Sequence, residues 1–246
     1  MPEGPSIVIL KEAMQSFKGK KILEASGNAK IDMAAISGKK IIDFKSWGKH
    51  TLICLPAFTI KIHLLMFGSY SINEQTKPDK SLRLHLRFTT GDIFFYTCSV
   101  KIIEDDLDEI YDWSADVMND AWDASAAIKK LNAIPNSLIC DALLDQEIFA
   151  GVGNIIKNEV LFITEIHPQS IVGKIPAKKI KEIVKMTREY SFDFLKWKKA
   201  FELKKHWLVH NKAICPRCNI RLIRQHLGKT NRRTFFCNNC QVLYDK

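Results

Sequence analysis

Pro2 and Glu3, in the opening Met1-Pro2-Glu3-Gly4-Pro5, pair a secondary amine with a carboxyl group once Met1 is trimmed, as it normally is ahead of a small residue. An α-amino group has a pKa near roughly 8, so at neutral pH part of it is unprotonated and can attack without a second base. A secondary amine that adds to a sugar C1′ yields a permanently charged iminium, an electron sink for elimination. The neighbouring carboxyl can shuttle protons on the opened sugar. That is lyase chemistry. A plainer reading of the same residues is a proline starting a helix.

Four cysteines at the other end form a second constellation. Cys215-Pro-Arg-Cys218 and Cys237-Asn-Asn-Cys240 are two CxxC knuckles with 18 residues between them, the spacing of a four-thiolate structural zinc site. Two disulfides or redox pairs are the alternative. The expected absence of a secretory signal, and the single placement of Cys54, Cys98 and Cys140 among apolar residues, favour reduced thiols. Four protein ligands leave a zinc no open position, so the metal is expected to fold the ribbon and no catalytic cofactor is implied.

Charge indicates what the ribbon faces. The formal net charge is +10, and residues 204–246 hold ten Lys/Arg against one acid, Asp245, whereas the first 203 residues are nearly neutral. A basic patch concentrated on a small zinc fold fits contact with phosphates, with a merely solvated surface as the alternative. Residues 104–123 hold nine Asp/Glu and no Lys/Arg, a run expected to form a solvated linker on another face.

The elements that must carry these groups are legible in the periodicity. Over about 20–100 the pattern is one of short strands: Leu82-Arg-Leu-His-Leu-Arg-Phe88 alternates, Gly91-Asp92 turns the chain, and Ile93-Phe-Phe-Tyr96 follows. This reads as a β-sandwich. One helix is expected ahead of it, Ser6 to Phe17, with Ile9, Ala13 and Phe17 among its apolar positions. After the acidic run the character is helical, with Ile180, Ile183, Val184, Tyr190 and Phe194 as a stripe. Gly151 and Gly153 precede Asn154 between apolar segments. Backbone amides there can cradle a phosphate, or Asn154 can simply cap a helix. No apolar run is long enough to span a bilayer, so no membrane partner is expected.

Together these features resemble the endonuclease VIII and formamidopyrimidine-DNA glycosylase family over nearly the whole chain. The resemblance rests on the N-terminal PEGP, the Gly48-Lys49 pair, the LDQ-x3-AG-x-GN-x4-E segment from Leu144 to Glu159 with His167-Pro168, and the ribbon's Asn231-Arg-Arg-Thr-Phe-Phe-Cys237. It implies an α+β multidomain fold: N-terminal helix plus β-sandwich (1–112), a helical domain with a helix-two-turn-helix (113–208) and a four-Cys zinc ribbon (209–246). It also implies a monomeric bifunctional glycosylase and AP lyase acting on damaged double-stranded DNA, in a bacterial cytoplasm at the nucleoid.

Carried over by residue, Pro2 resembles the Schiff-base nucleophile, Glu3 the acid/base and Lys49 a phosphate-contacting proton donor. Asn154 and Gly153 resemble the phosphate-holding helix-two-turn-helix residues. Arg232 resembles the zinc-finger arginine linked to δ-elimination, and Arg233 competes for that role. Leu65, Met66 and Phe67 match the wedge that fills the stack when a nucleotide is everted, with a strand-end core cluster as their alternative reading. Tyr96–Lys101 lacks the Arg-Arg-Phe triplet of the formamidopyrimidine branch, and Phe194–Trp207 lacks its purine-covering loop. Both omissions and the PEGP start resemble the endonuclease VIII branch and oxidised pyrimidines. An 8-oxoguanine or formamidopyrimidine glycosylase, a catalytically silent relative that binds damaged DNA, and a zinc-ribbon RNA-binding protein remain as alternatives.

Overall fold

The computed structural model describes residues 2–246, so trimming of Met1 lies outside the described residues. The chain divides into two compact units, Met1–Asp112 and Trp113–Lys246. Among the described residues no helix is long and apolar enough to cross a membrane.

In the first unit, helix α1 (Gly4–Met14) runs into a 3-10 turn at Gln15–Phe17, with Pro5 in its first turn. It buries Ile7, Leu10, Met14 and Phe17. This corrects the expected stripe, because Ala13 is exposed and Ile9 only half-buried: starting the helix at Gly4 puts Ile7, Leu10 and Met14 on one face at i, i+3, i+7. A short α2 (Met33–Ile36) is capped by Asp32, whose carboxylate accepts from the Ala34 and Ala35 amides.

Eight strands follow: β1 (Glu24–Ser26), β2 (Asp43–Trp47), β3 (His50–Cys54), β4 (Thr59–His63), β5 (Ser69–Ile72), β6 (Leu82–Phe88), β7 (Gly91–Tyr96) and β8 (Ser99–Ile103). They form two antiparallel sheets, ordered β1-β6-β7-β5 and β2-β3-β4-β8. Leu82, Leu84, Leu86 and Phe88 are all buried in β6, as their alternation requires. Leu84, Leu86, Ile93 and Phe95 of one sheet and Phe44, Ile53, Ile60 and Ile62 of the other share one core with α1, which makes the pair a sandwich.

The acidic run is not a bare linker. It contains α3 (Leu107–Ile110) and buries Leu107, Tyr111, Ala115, Asp116 and Val117. Its acids alternate with apolar side chains that find cores, and Trp47 Nε1 donates to the Asp112 carbonyl (2.8 Å).

The second unit contains α4 (Ala124–Asn132), α5 (Ile139–Ala142), α6 (Asn154–Ile163) and α7 (Ala177–Lys199), then the hairpin β9 (Ile223–Leu227) and β10 (Arg232–Phe236). The stripe of α7 is buried as the sequence indicates, at Ile180, Ile183, Val184, Tyr190 and Phe194. It packs on Ile156 and Val160 of α6 and on Leu227 and Phe236 of the hairpin.

Candidate functional site

In the first unit, Glu3 is the N-cap of α1, with extended backbone (φ −114°, ψ 171°) and a carbonyl accepting the Ser6 and Ile7 amides. Its side chain does not cap its own helix and is buried, at 2% exposure. Pro2, half-buried, is one residue further out. Amide dipoles at a helix N-terminus favour negative charge and disfavour a protonated amine.

Helix α1 packs against β2 and β3, whose turn carries Lys49. Trp47 pairs with His50, leaving Gly48 and Lys49 as a two-residue turn, and Gly48 takes φ 53°, a conformation a side chain would penalise. Lys49 is half-buried, not the fully solvated lysine of an ordinary hairpin. Burial, then the charges of His63, Lys61 and Lys49, push His50 down to about 4. Burial, then Lys49 and Lys61, lowers His63. Both rings are therefore neutral at pH 7, and His63 Nδ1 accepts the Leu65 amide (3.1 Å).

That bond anchors the loop from Leu64 to Gly68. Leu65 is left-handed (φ 54°) and the Gly68 amide donates to the Leu64 carbonyl (2.7 Å). A Cβ on Gly68 would fall 2.1 Å from that oxygen, so only glycine closes the turn. Leu65, Met66 and Phe67 consequently face solvent at 47%, 54% and 77% exposure. A strand-end core cluster does not describe them.

In the second unit, α6 begins at Asn154 with Gly153 as its N-cap. The alternative reading of Asn154 as a helix cap is thus set aside: Asn154 is the first helical residue, and its Nδ2 donates to the Arg233 carbonyl on β10 (2.8 Å). The helix places polar groups against the same strand further along. Lys157 Nζ donates to Thr234 Oγ1 (2.8 Å), and Asn158 Oδ1 accepts the Phe235 amide (3.4 Å). Glu159 accepts the Leu208, Val209 and His210 amides at 2.8, 3.1 and 2.7 Å.

Burial raises the Glu159 carboxyl, opposed by those three amides. Burial, then the Lys157 charge, pushes His210 down to about 4, so its neutral ring pairs with Asn158 (3.1 Å). At the other end of α6, Arg217 donates to the Phe162 and Ile163 carbonyls and stacks on the Phe162 ring, satisfying a helix C-terminus. Sequence reading missed Lys157, Asn158, His210 and Arg217, and used Glu159 only as a motif letter. The available signal was three adjacent polar residues within Ile155–Ile163, which cannot all face solvent on an otherwise apolar helix.

Arg232 and Arg233 lie on β10, where Arg232 pairs with Leu227 across a turn containing Gly228 (φ 70°) and Asn231 (φ 47°). The Lys229 amide donates to the Asp141 carboxylate (3.0 Å), fixing this turn on α5. Arg232 is half-buried and Arg233 exposed.

The sulfurs of Cys215, Cys218, Cys237 and Cys240 all lie within 4.8 Å of one another. Cys215–Cys240 and Cys237–Cys218 Sγ separations are 3.7 and 3.8 Å, far beyond a disulfide bond. They match the edge of about 3.8 Å expected of a tetrahedron with Zn–S near 2.3 Å. Asn239 Nδ2 donates to Cys218 Sγ (3.2 Å), the kind of outer contact that orients a thiolate ligand. The donor set fits a structural zinc.

Residues 1–101 match the formamidopyrimidine-DNA glycosylase N-terminal domain, and residues 114–192 the formamidopyrimidine-DNA glycosylase H2TH domain. Endonuclease 8-like 3 of Xenopus laevis is 30% identical over 89% of the chain, which spans only 38% of that relative's length. Formamidopyrimidine-DNA glycosylase of Lactobacillus helveticus is 28% identical over 99% of the chain and 100% of the relative. Among solved structures, a viral DNA glycosylase superposes with TM-score 0.86 at 22% identity, covering 98% of this chain and 100% of the other. Lactococcus lactis formamido-pyrimidine DNA glycosylase, bound to DNA containing an AP site, gives 0.85 at 21%, covering 97% and 99%. At such identities the two structures establish the fold.

Proposed function

Because the chain belongs to the endonuclease VIII and formamidopyrimidine-DNA glycosylase family of base-excision-repair enzymes, we propose that it is a bifunctional DNA glycosylase and AP lyase working through a Pro2 Schiff base. The observation that carries this reading is Glu3: a carboxyl side chain, nearly solvent-free, next to Pro2 at the start of α1, that does not cap its own helix.

With Met1 removed, the Pro2 nitrogen attacks C1′ of the damaged nucleotide. The C1′–N bond breaks and its electron pair leaves with the base, which takes up a proton. Ring opening gives the iminium, with Glu3 moving the proton at the sugar oxygen. Loss of a C2′ proton into this electron sink expels the 3′ phosphate, and a second elimination expels the 5′ phosphate. Water then hydrolyses the iminium and restores the amine. Lys49, Asn154 with the Gly153–Asn154 backbone, Arg232 and Arg233 hold phosphates, and Leu65, Met66 and Phe67 occupy the vacated stack. The zinc, when bound by the four cysteines, supplies only ribbon folding.

Oxidised pyrimidines are the favoured substrates. Two features support that branch. Between β7 and β8 there are only Thr97 and Cys98, the latter buried, which leaves no room for a loop supporting an orphaned cytosine partner. From α7 to the ribbon the chain turns a tight corner into a 3-10 turn at Leu203–His206, without a purine-covering loop.

Borohydride trapping on duplexes carrying thymine glycol, dihydrouracil, 8-oxoguanine or a bare abasic site, with intact mass confirming loss of Met1, tests both parts. An adduct on the pyrimidine lesions that disappears in Pro2→Gly is expected. Full trapping and incision by Pro2→Gly would refute the mechanism, and trapping on 8-oxoguanine alone would refute the branch.

A further inference from the structure

Phe201 is 97% exposed, the most exposed large hydrophobic residue among those described. It is also left-handed, with φ 59°. Both follow from the way α7 ends. The Phe201 amide donates to the Lys198 carbonyl (3.1 Å) and the Glu202 amide to the Trp197 carbonyl (2.8 Å). That pair of bonds is the Schellman motif, whose left-handed position normally holds glycine. A bulky side chain there pays a steric cost, and Phe201, facing water, recovers nothing by burial. Backbone strain of this kind persists where function requires the side chain.

The surroundings indicate the ligand. Lys196, Lys198, Lys199 and Lys204 all lie within five residues of Phe201, and the one acid in that span, Glu202, is paired with a fifth lysine, Lys205 (2.7 Å). Beneath the corner the Trp197 ring stacks on His206 (4.1 Å, 5°) and meets Tyr190 edge-on (5.6 Å). The corner is therefore braced from within while its aromatic tip stays outside. An exposed ring on a fixed backbone corner, in a lysine-rich stretch, matches the chemistry of an unstacked nucleobase between phosphates: the ring takes the base face and the lysines take the backbone.

We propose that Phe201 is a stacking contact for an unpaired nucleobase of DNA, a specificity element that favours single-stranded or locally opened substrate. The proposal rests on the DNA-repair reading given above. Stacking accounts for roughly a fivefold to hundredfold part of the affinity for unpaired DNA.

The test uses the full chain with bound zinc and a 2-aminopurine reporter placed in a single strand, in an unpaired bulge, and in a fully paired duplex. Phe201→Gly is expected to raise Tm by about 2–4 °C, because glycine relieves the left-handed strain. The same variant should lose 2-aminopurine quenching and bind the single strand and bulge at least about fivefold more weakly. Phe201→Trp should keep both properties and Phe201→Leu neither. The slope of affinity against salt should stay unchanged in all three, since stacking releases no counterions. A purely structural corner predicts the opposite pairing, and Phe201→Gly binding unpaired DNA like the parent, or Phe201→Leu matching Phe201→Trp, would overturn the proposal. Retained borohydride trapping on lesion duplex would then show that the repair reading survives. Failure of the parent to bind any DNA would overturn both.

Discussion

Replacing Glu159 should separate the second unit's stability from its chemistry. The carboxylate is fully buried and accepts three consecutive amides, two on Oε1 (Val209, His210) and one on Oε2 (Leu208). Hydrogen bonds to a charged group contribute about 1.5–3 kcal/mol each, so three give a gross of about 5–9 kcal/mol. Burying a carboxylate costs several kcal/mol, and burial accordingly pushes the Glu159 pKa upward. The net cost of Glu159→Ala, which leaves three amides without acceptors, is thus about 3–5 kcal/mol.

Glu159→Gln retains one acceptor oxygen but turns an NH2 toward one amide, and should cost about 1.5–3 kcal/mol. Urea unfolding followed by far-UV circular dichroism measures both, and zinc release to a chromogenic chelator should accelerate in the same order, because residues 208–210 lead into the ribbon. A Glu159→Gln variant within about 0.5 kcal/mol of the parent, or a Glu159→Ala variant no worse than it, would refute the claim that these amides depend on the carboxylate.

The remaining expectations are more local. His50 has a native pKa of about 4 against an ordinary 6.5, so the unfolded chain binds the proton first and stability is lost as pH falls from 6.5 toward 4, with no change above pH 7. At pH 5 this amounts to on the order of 1–2 kcal/mol after allowance for solvent screening, and Tm against pH should be flatter in His50→Gln than in the parent. Gly68→Ala should cost about 2–4 kcal/mol in thermal unfolding, because its Cβ meets the Leu64 carbonyl. Met66→Ala and Phe67→Ala, at exposed positions, should change stability by less than about 0.5 kcal/mol yet lower incision of a lesion duplex, and a large loss of stability would remove them from the wedge. Chelation of the metal, expected at one zinc per chain by elemental analysis, should abolish the ribbon's fold while the first unit keeps its own unfolding transition. A single unchanged transition would argue against a structural zinc.

Much of the fold was determined by short-range pattern. The alternation in Leu82–Phe88 could bury one face only as a strand, the stripe from Ile180 to Phe194 only as a helix, and the two CxxC knuckles needed only spacing to gather four sulfurs. The Gly48-Lys49 pair entered through the family resemblance alone, although a two-residue hairpin turn does demand a residue tolerant of positive φ.

Tertiary structure decided what each polar group is for. Asn154 reads as a helix cap until the hairpin arrives 79 residues later and takes its amide. Lys157, Asn158 and Glu159 have no partner that the sequence names until β10 and residues 208–210 close over them. The exposure of Leu65, Met66 and Phe67 depends on a carbonyl at Leu64 that only Gly68 can approach. Apart from the Thr234 hydroxyl that takes Lys157, the deciding partner in these cases is a backbone group, and a backbone group leaves no signature in the sequence.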